Sequence, residues 1–242
     1  VNVLVAAGYQ GLSAIAADLV RQRIQTNRDL VLGLPAGRTP LGLYARLAGM
    51  YRAGRLDFSG VTTFNLDEYY PVHPQDPVSF RAFTRRHFLD HVNVPGHRTH
   101  APDATHPRPE EACAAYELEI ARAGGLSLII LGIGQNGHIG FNEPGTAFDS
   151  RTRLVALDEH TVHVNFGTAA AGAPRLALSM GIATIMEASE ILLMASGRNK
   201  SAIVSRALYG PVTPGVPASV LQLHPSLTVV VDRAAASAMG GR

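Results

Sequence analysis

Apolar positions along the 242-residue chain fall into two alternating rhythms. Short unbroken runs predict strands at "VNVLVA" (1–6), "DLVLGL" (29–34), "GVTTFNL" (60–66), "LSLIILGIG" (126–134), "EILLMASG" (190–197) and "LTVVVD" (227–232). Between them, apolar residues recur at helical spacing. Leu12, Ile15, Ala16, Leu19, Val20 and Ile24 share one helix face. "SFRAFTRRHFLDHV" (79–92) and "RPEEACAAYELEIARAG" (108–124) predict further helices, the second opened by Pro109 and closed by Gly124. Strands that are apolar throughout, rather than at every second position, are covered on both sides. The pattern therefore predicts an α/β fold: a doubly wound, mostly parallel sheet with helices on both faces, Rossmann-like. No repeat, low-complexity tract or long linker interrupts it, so residues 1–242 are expected to form one domain.

In such a sheet ligands sit beyond the carboxyl ends of the strands, and three chemically equipped stretches follow predicted strands. The first, "LIILGIGQNGHIGFNEPG" (128–145), contains Gly132-x-Gly134-x-x-Gly137, with Asp158 about 20 residues on, in the spacing of a dinucleotide fingerprint. That fingerprint needs its last glycine to open a helix facing the pyrophosphate. Gly140, Asn142, Pro144 and Gly145 argue against a helix here. The stretch reads instead as a glycine-rich loop displaying His138 and Glu143, an imidazole and a carboxylate suited to moving protons near neutral pH. A lone histidine in a loop serves structure as readily.

The second stretch is "LGLPAGRTPLGLY". Gly33 and Gly37 permit a tight turn, Thr39 suits an N-cap and Pro40 the first helical turn. Such a turn is either an anion site, with free N–H groups and the helix dipole aimed at one spot, or an ordinary strand-to-helix connection. It is not a Walker A loop, since Gly-Lys-Ser/Thr is absent. The third is "TTFNLDEYYPVHPQDPVSF". Neighbouring side chains on extended backbone point opposite ways, so Asp67 and Glu68 can divide between cleft and scaffold.

Composition narrows the classes. Hydrophobic residues make up 46% of the chain and charged ones 17%, enough apolar surface for a large core. A net charge of +2 with scattered basic residues does not fit nucleic-acid binding, and the cluster Arg81–His87 reads as a solvated helix face. The single cysteine, Cys113, excludes a disulfide framework, reads as a core thiol and fits a cytoplasmic location. No apolar run is long enough for a membrane span, no signal-peptide pattern opens the chain, and Val1 in place of Met points to a trimmed start. His87 and His91 stand i, i+4 with His97 and His100 beyond. Phe88 follows His87 where a metalloprotease helix has Glu, so no metal is expected. His224 reads as a structural loop residue, and Met180, Met186 and Met194 as core.

These segments together resemble the glucosamine-6-phosphate deaminase/isomerase family through almost the whole chain. The resemblance is carried by "LGLPAGRTPLGLY", "FNLDEYY", "SFRAFTRRHFLDHVNV", "GIGQNGHIGFNEPG", "SRTRLVAL", "ALSMGIATIMEASEILLMASGRNK" and "SVLQLHPSLTVVVD". It implies conversion of glucosamine 6-phosphate and water into fructose 6-phosphate and ammonia, with no cofactor. A small-molecule hexosamine phosphate is the expected partner, with no nucleic acid or membrane, and the chain is expected to be a monomer or small homo-oligomer. Asp67 matches the family's base for C2 and C1, His138 its ring-opening imidazole, and Glu143 the carboxylate that orients that imidazole. Gly37, Thr39 and Lys200 match the phosphate site. A lid is implied around 158–175.

Three departures stand out. Asn136 replaces an aspartate found in many members two positions before the histidine. Arg38 stands where a small residue is usual, while the lid lacks the family's arginine at the matching place, so Arg38 is a candidate replacement cation. Arg153 matches one allosteric-site residue, but Val155 replaces a lysine there, Thr146 and Ala147 replace small hydroxyl residues, and the chain stops short of the relatives' C-terminal extension. A non-allosteric enzyme is therefore expected. Alternatives are a deaminase for galactosamine 6-phosphate or another epimer, and a non-catalytic sugar-phosphate sensor.

Overall fold

The computed structural model describes residues 1–166 and 173–239. Seven strands form one parallel sheet: β1 (Asn2–Ala6), β2 (Val31–Leu34), β3 (Thr62–Asn65), β5 (Thr99–His100), β6 (Leu128–Leu131), β9 (Glu190–Ala195) and β10 (Leu227–Asp232). Their order across the sheet is β1-β10-β9-β6-β2-β3-β5. All four residues of β2 and all four of β6 are buried, as strands apolar on both faces must be. Successive residues feed opposite cores. Leu128 and Ile130 pack with Leu32 and Leu34 against α1 (Tyr9–Thr26) and α2 (Leu41–Arg52). Ile129 and Leu131 pack with Phe64, Leu193 and Val229 against α4 (Pro109–Arg122) and α7 (Ser201–Tyr209).

A second sheet differs from the sequence expectation. β4 (Asp67–Tyr70), β7 (Arg153–Ala156) and β8 (Leu176–Ser179) form an antiparallel layer in the order β4-β8-β7. Leu66 is the joint between the layers. Its N–H donates to Leu34 O in the main sheet at 3.1 Å, and its carbonyl accepts from Met180 N at 2.8 Å. The backbone thus turns from one sheet into the other directly before Asp67.

Two helix boundaries also differ. The helix expected over 79–92 is α3 (Phe80–His87) followed by a single tight turn at Leu89–His91. Phe88 interrupts it at φ −145°, and its ring is buried against Tyr44, 4.9 Å between centroids. Packing of a large aromatic side chain outweighs continuation of the helix. α2 begins at Leu41 with Pro40 as its first flanking residue and no side-chain cap, so Thr39 is not the N-cap. The remaining helices are α5 (Glu159–Phe166) and α6 (Ile182–Met186).

His100 and His224 serve the scaffold. His100 pairs with Glu119 at 3.0 Å and stacks on Phe64. Buried His224 bonds Ala188 O at 2.8 Å and accepts from Ser226 N at 3.1 Å. Among the described residues no three His, Cys, Asp or Glu side chains gather as a metal site. Cys113 is buried and its thiol is pushed up to about 11, chiefly by burial, so it stays protonated. No described helix is long and apolar enough to cross a membrane.

Candidate active site

A cleft of about 240 Å³ opens at the carboxyl ends of β2, β3, β6 and β9. The turn after β2 contributes Gly37, Arg38 and Thr39. The joint after β3 contributes Asp67, the loop after β6 contributes Asn136 and His138, and the turn after β9 contributes Lys200. Seven of the eight residues singled out from sequence therefore line one space. The eighth, Glu143, lies behind His138.

The loop after β6 forms no helix, so the dinucleotide spacing of its glycines serves a different purpose. Any side chain at Gly134 would overlap the His138 ring, and Gly134 N donates to His138 O at 2.9 Å. Gly140, at φ +56°, passes beside Asp67; a Cβ there would stand 3.7 Å from Oδ2. The glycines thus let the loop fold tightly and bring the imidazole and the carboxylate to the same cleft.

Glu143 is held by its neighbours. Asn136 Nδ2 donates to Oε2 at 2.6 Å and Thr161 Oγ1 donates to Oε1 at 2.7 Å. His138 Nδ1 lies 3.3 Å from Oε1. This last approach is not aligned as a hydrogen bond, and Nδ1 is buried with no other partner among the described residues. Burial works against the charge on Glu143, but the imidazole, the Thr161 hydroxyl and the Asn136 amide together bring its pKa down to about 2. Asn136 also accepts His138 N on its Oδ1 at 3.2 Å, tying the amide to the histidine's own backbone.

Asp67 has the opposite environment. Burial, reinforced by the neighbouring Glu68 carboxylate, raises it from 3.8 to about 7. Its neighbour points away and does structural work. Glu68 accepts hydrogen bonds from Ser79 Oγ (2.6 Å), Phe80 N (2.7 Å), Arg81 N (2.9 Å) and its own neighbour Tyr69 N (2.9 Å). It thereby closes the N-terminus of α3, where free N–H groups favour an anion.

At the cationic end, Lys200 Nζ donates to Ile133 O at 2.7 Å, and burial lowers its pKa. The turn carrying it is fixed by Asp232, which accepts from Ser196 Oγ at 2.5 Å and Gly197 N at 3.1 Å. Gly37 takes φ +103°, which a residue with a side chain would resist. The turn around it is braced by Tyr9, whose hydroxyl bonds Arg38 O and Thr39 O at 3.1 Å each and accepts Gly42 N at 2.8 Å. The Arg38 side chain is exposed at the rim.

Phe80, Gln135, Phe141 and Thr161 also line the cleft and were not singled out from sequence. Gln135 and Phe141 lie in the glycine-rich loop already quoted, Phe80 in the helix expected over 79–92, and Thr161 in the expected lid segment. Of that segment, α5 is described, and residues 167–172 lie outside the described residues.

Fold and site together define an α/β protein whose cleft brings a tight glycine turn and a buried lysine together with a raised carboxyl group and an imidazole. The chain belongs to the family of glucosamine-6-phosphate isomerases and 6-phosphogluconolactonases, whose sequence pattern it matches over residues 6–230. It is 48% identical to glucosamine-6-phosphate deaminase 2 of Bacillus subtilis (strain 168), across 97% of this chain and 96% of that protein. It is 47% identical to glucosamine-6-phosphate deaminase of Halothermothrix orenii, across 98% and 99%. A solved monomeric glucosamine-6-phosphate deaminase superposes with a TM-score of 0.96 at 39% identity, covering 98% of this chain and 100% of that one. The 6-phosphogluconolactonase of Trypanosoma brucei shares the fold at a TM-score of 0.75 and 20% identity.

Proposed function

We propose that the chain is a glucosamine-6-phosphate deaminase, converting glucosamine 6-phosphate and water into fructose 6-phosphate and ammonia. The observation that carries this reading is the shared cleft: Asp67, with a pKa of about 7, and His138, backed by Glu143, line the same space as Lys200 and the turn at Gly37.

In this reading the phosphate sits against the N–H groups of the turn at Gly37–Thr39 and the Lys200 ammonium. His138 takes the proton from the O1 hydroxyl of the pyranose and returns one to the ring oxygen, which opens the ring. Glu143 stays ionised throughout, because its two neutral donors and the imidazole favour the charged form. It orients the ring and stabilises it while the proton is held, the task of the third member of a catalytic triad. Asp67 then removes the proton from C2 and delivers one to C1. Water attacks C2 of the resulting ketose imine and ammonia leaves. A base poised near 7 suits the C2 step, since it is substantially ionised at neutral pH yet still basic enough to accept a proton. Residues 1–242 act as one catalytic unit in the cytoplasm, and the segment around 158–175 serves as a lid.

Ammonia release from a panel of hexosamine 6-phosphates tests the reading. Turnover of glucosamine 6-phosphate at least tenfold above its epimers is expected. Preferred turnover of galactosamine 6-phosphate would reassign the substrate, and binding without ammonia release would make the chain a sensor.

A further inference from the structure

Glu143 is gripped from two directions. Asn136 belongs to the same loop as His138 and is tied to the histidine's backbone, so it travels with the imidazole. Thr161 comes from elsewhere: it is buried near the start of α5, lines the cleft, and places its hydroxyl 2.7 Å from Oε1. Among the described residues it is the side chain that reaches Glu143 from outside the loop after β6. Oε1 is also the oxygen facing His138 Nδ1, and that approach, 3.3 Å and unaligned, leaves Nδ1 buried without a made bond. A small rotation of the carboxylate would complete the bond. The rotation is set by whatever fixes Oε1, because Oε2 is already held by Asn136.

The position of α5 is not arbitrary. Val162, next to Thr161, is buried with Tyr69, Phe141, Leu157 and Ala177, and Phe166 packs on the Tyr69 ring at 5.4 Å. These contacts join α5 to β4, which begins at Asp67, and to the loop between His138 and Glu143. A shift of α5 therefore reaches the catalytic carboxylate through one hydroxyl.

We propose that Thr161 is a positioning residue: its hydroxyl, delivered from α5, sets the angle at which Glu143 meets His138, so that ring opening depends on where α5 sits. The inference rests on the deaminase reading above, and it adds a residue for which composition, motif and charge gave no role. An orphaned donor costs free energy when buried, and a fixed neutral donor beside the shared oxygen is a means of deciding when that donor is satisfied.

The test uses the full chain with Thr161→Val, which keeps the shape and removes the hydroxyl, and Thr161→Ser, which keeps the hydroxyl. Activity is followed with glucosamine 6-phosphate carrying hydrogen or deuterium at C2. For Thr161→Val we expect kcat to fall about tenfold with KM within twofold. The deuterium effect should shrink toward unity, because ring opening rather than C2–H cleavage becomes limiting. Thr161→Ser should recover kcat to within about threefold and restore the deuterium effect. The 15N resonances of the His138 ring are measured in the same variants without ligand. A changed Nδ1 signal in Thr161→Val is expected, and this readout does not require turnover. A purely structural role would lower Tm without altering the isotope effect or the ring signal, and that outcome overturns the proposal. So does a Thr161→Ser protein that behaves like Thr161→Val. Failure of the unaltered protein to release ammonia, with the Nδ1 signal still responding to Thr161→Val, would count against the deaminase reading and leave the positioning contact standing.

Discussion

Two carboxylates in one cleft are pushed in opposite directions, and stability and activity respond to pH through both. Glu143 is held below its ordinary range, so it stabilises the fold above the unfolded value of 4.5 and loses that contribution as pH falls toward 2. Asp67 is held above its ordinary range. Its neutral form suits the buried site, so the fold gains most below 3.8 and loses that gain as pH rises through about 7. Above pH 7 the ionised Asp67 costs on the order of 4 kcal/mol relative to the unfolded chain. Asp67→Asn should therefore abolish ammonia release yet raise stability at pH 8 by about 1–3 kcal/mol, with little gain at pH 3.5. Urea titrations at the two pH values check this, and a loss of stability at pH 8 would contradict the assigned burial cost. In the unaltered enzyme kcat/KM should rise with pH through about 7 as the base ionises. Arg38 belongs at this scale too. It lines the cleft beside Gly37 and Thr39, and the segment that would carry the family's lid arginine has none at the matching place. If Arg38 supplies that cation, Arg38→Ala raises KM about tenfold with kcat nearly unchanged. An unchanged KM assigns the side chain to solvent.

Elements are placed by residues that never touch the ligand. Glu68 gathers the Ser79 hydroxyl and the Phe80 and Arg81 N–H groups, so one buried carboxylate locks α3 against β4 and seats Phe80 at the cleft. Glu68→Ala leaves those donors unpaired and should cost roughly 2–4 kcal/mol in chemical denaturation, with KM raised as Phe80 loosens. A cost below about 0.5 kcal/mol would mean that the N-terminus of α3 is held by other contacts. The division of labour between Asp67 and Glu68 was legible in the sequence, because alternation along extended backbone sends neighbours to opposite sides. Six strands of the main sheet were legible too, and β2 and β6 are the clearest, as apolar runs buried along their whole length in a doubly covered sheet. The antiparallel layer was not. β4, "DEYY", opens with two carboxylates, and β7, "RLVA", has no buried residue, so neither shows as an apolar run. Their pairing depends on contacts between separated segments, since both Asp67 and Arg153 stand opposite Ser179. Thr39 was misplaced as a cap for a local reason: Pro40 precedes the first helical residue instead of being it. Thr161 carried no motif at all, because its role depends on an oxygen 18 positions away.

At the scale of the whole molecule, cooperativity requires two sites and two global states whose populations a ligand can shift. Arg153, which matches part of an allosteric anion site in hexameric relatives, is employed here inside the subunit. Its Nη1 donates to Asn142 Oδ1 at 2.9 Å and its Nη2 approaches Thr146 Oγ1 at 3.4 Å. Asn142 in turn donates to Ile139 O and Met180 O, both at 2.8 Å, so the guanidinium helps pin the loop between His138 and Glu143 to the strand layer beneath it. Val155 offers no second cation beside it, which leaves an arriving phosphate with one charge where two would hold it. Sedimentation separates a 25.7 kDa monomer from a small homo-oligomer. Velocity against glucosamine 6-phosphate should be hyperbolic, and N-acetylglucosamine 6-phosphate should at most compete for the active site. Sigmoidal rates made hyperbolic by that compound would show that Arg153 can leave Asn142 for a ligand. The loop that carries the catalytic pair would then itself be the element that switches.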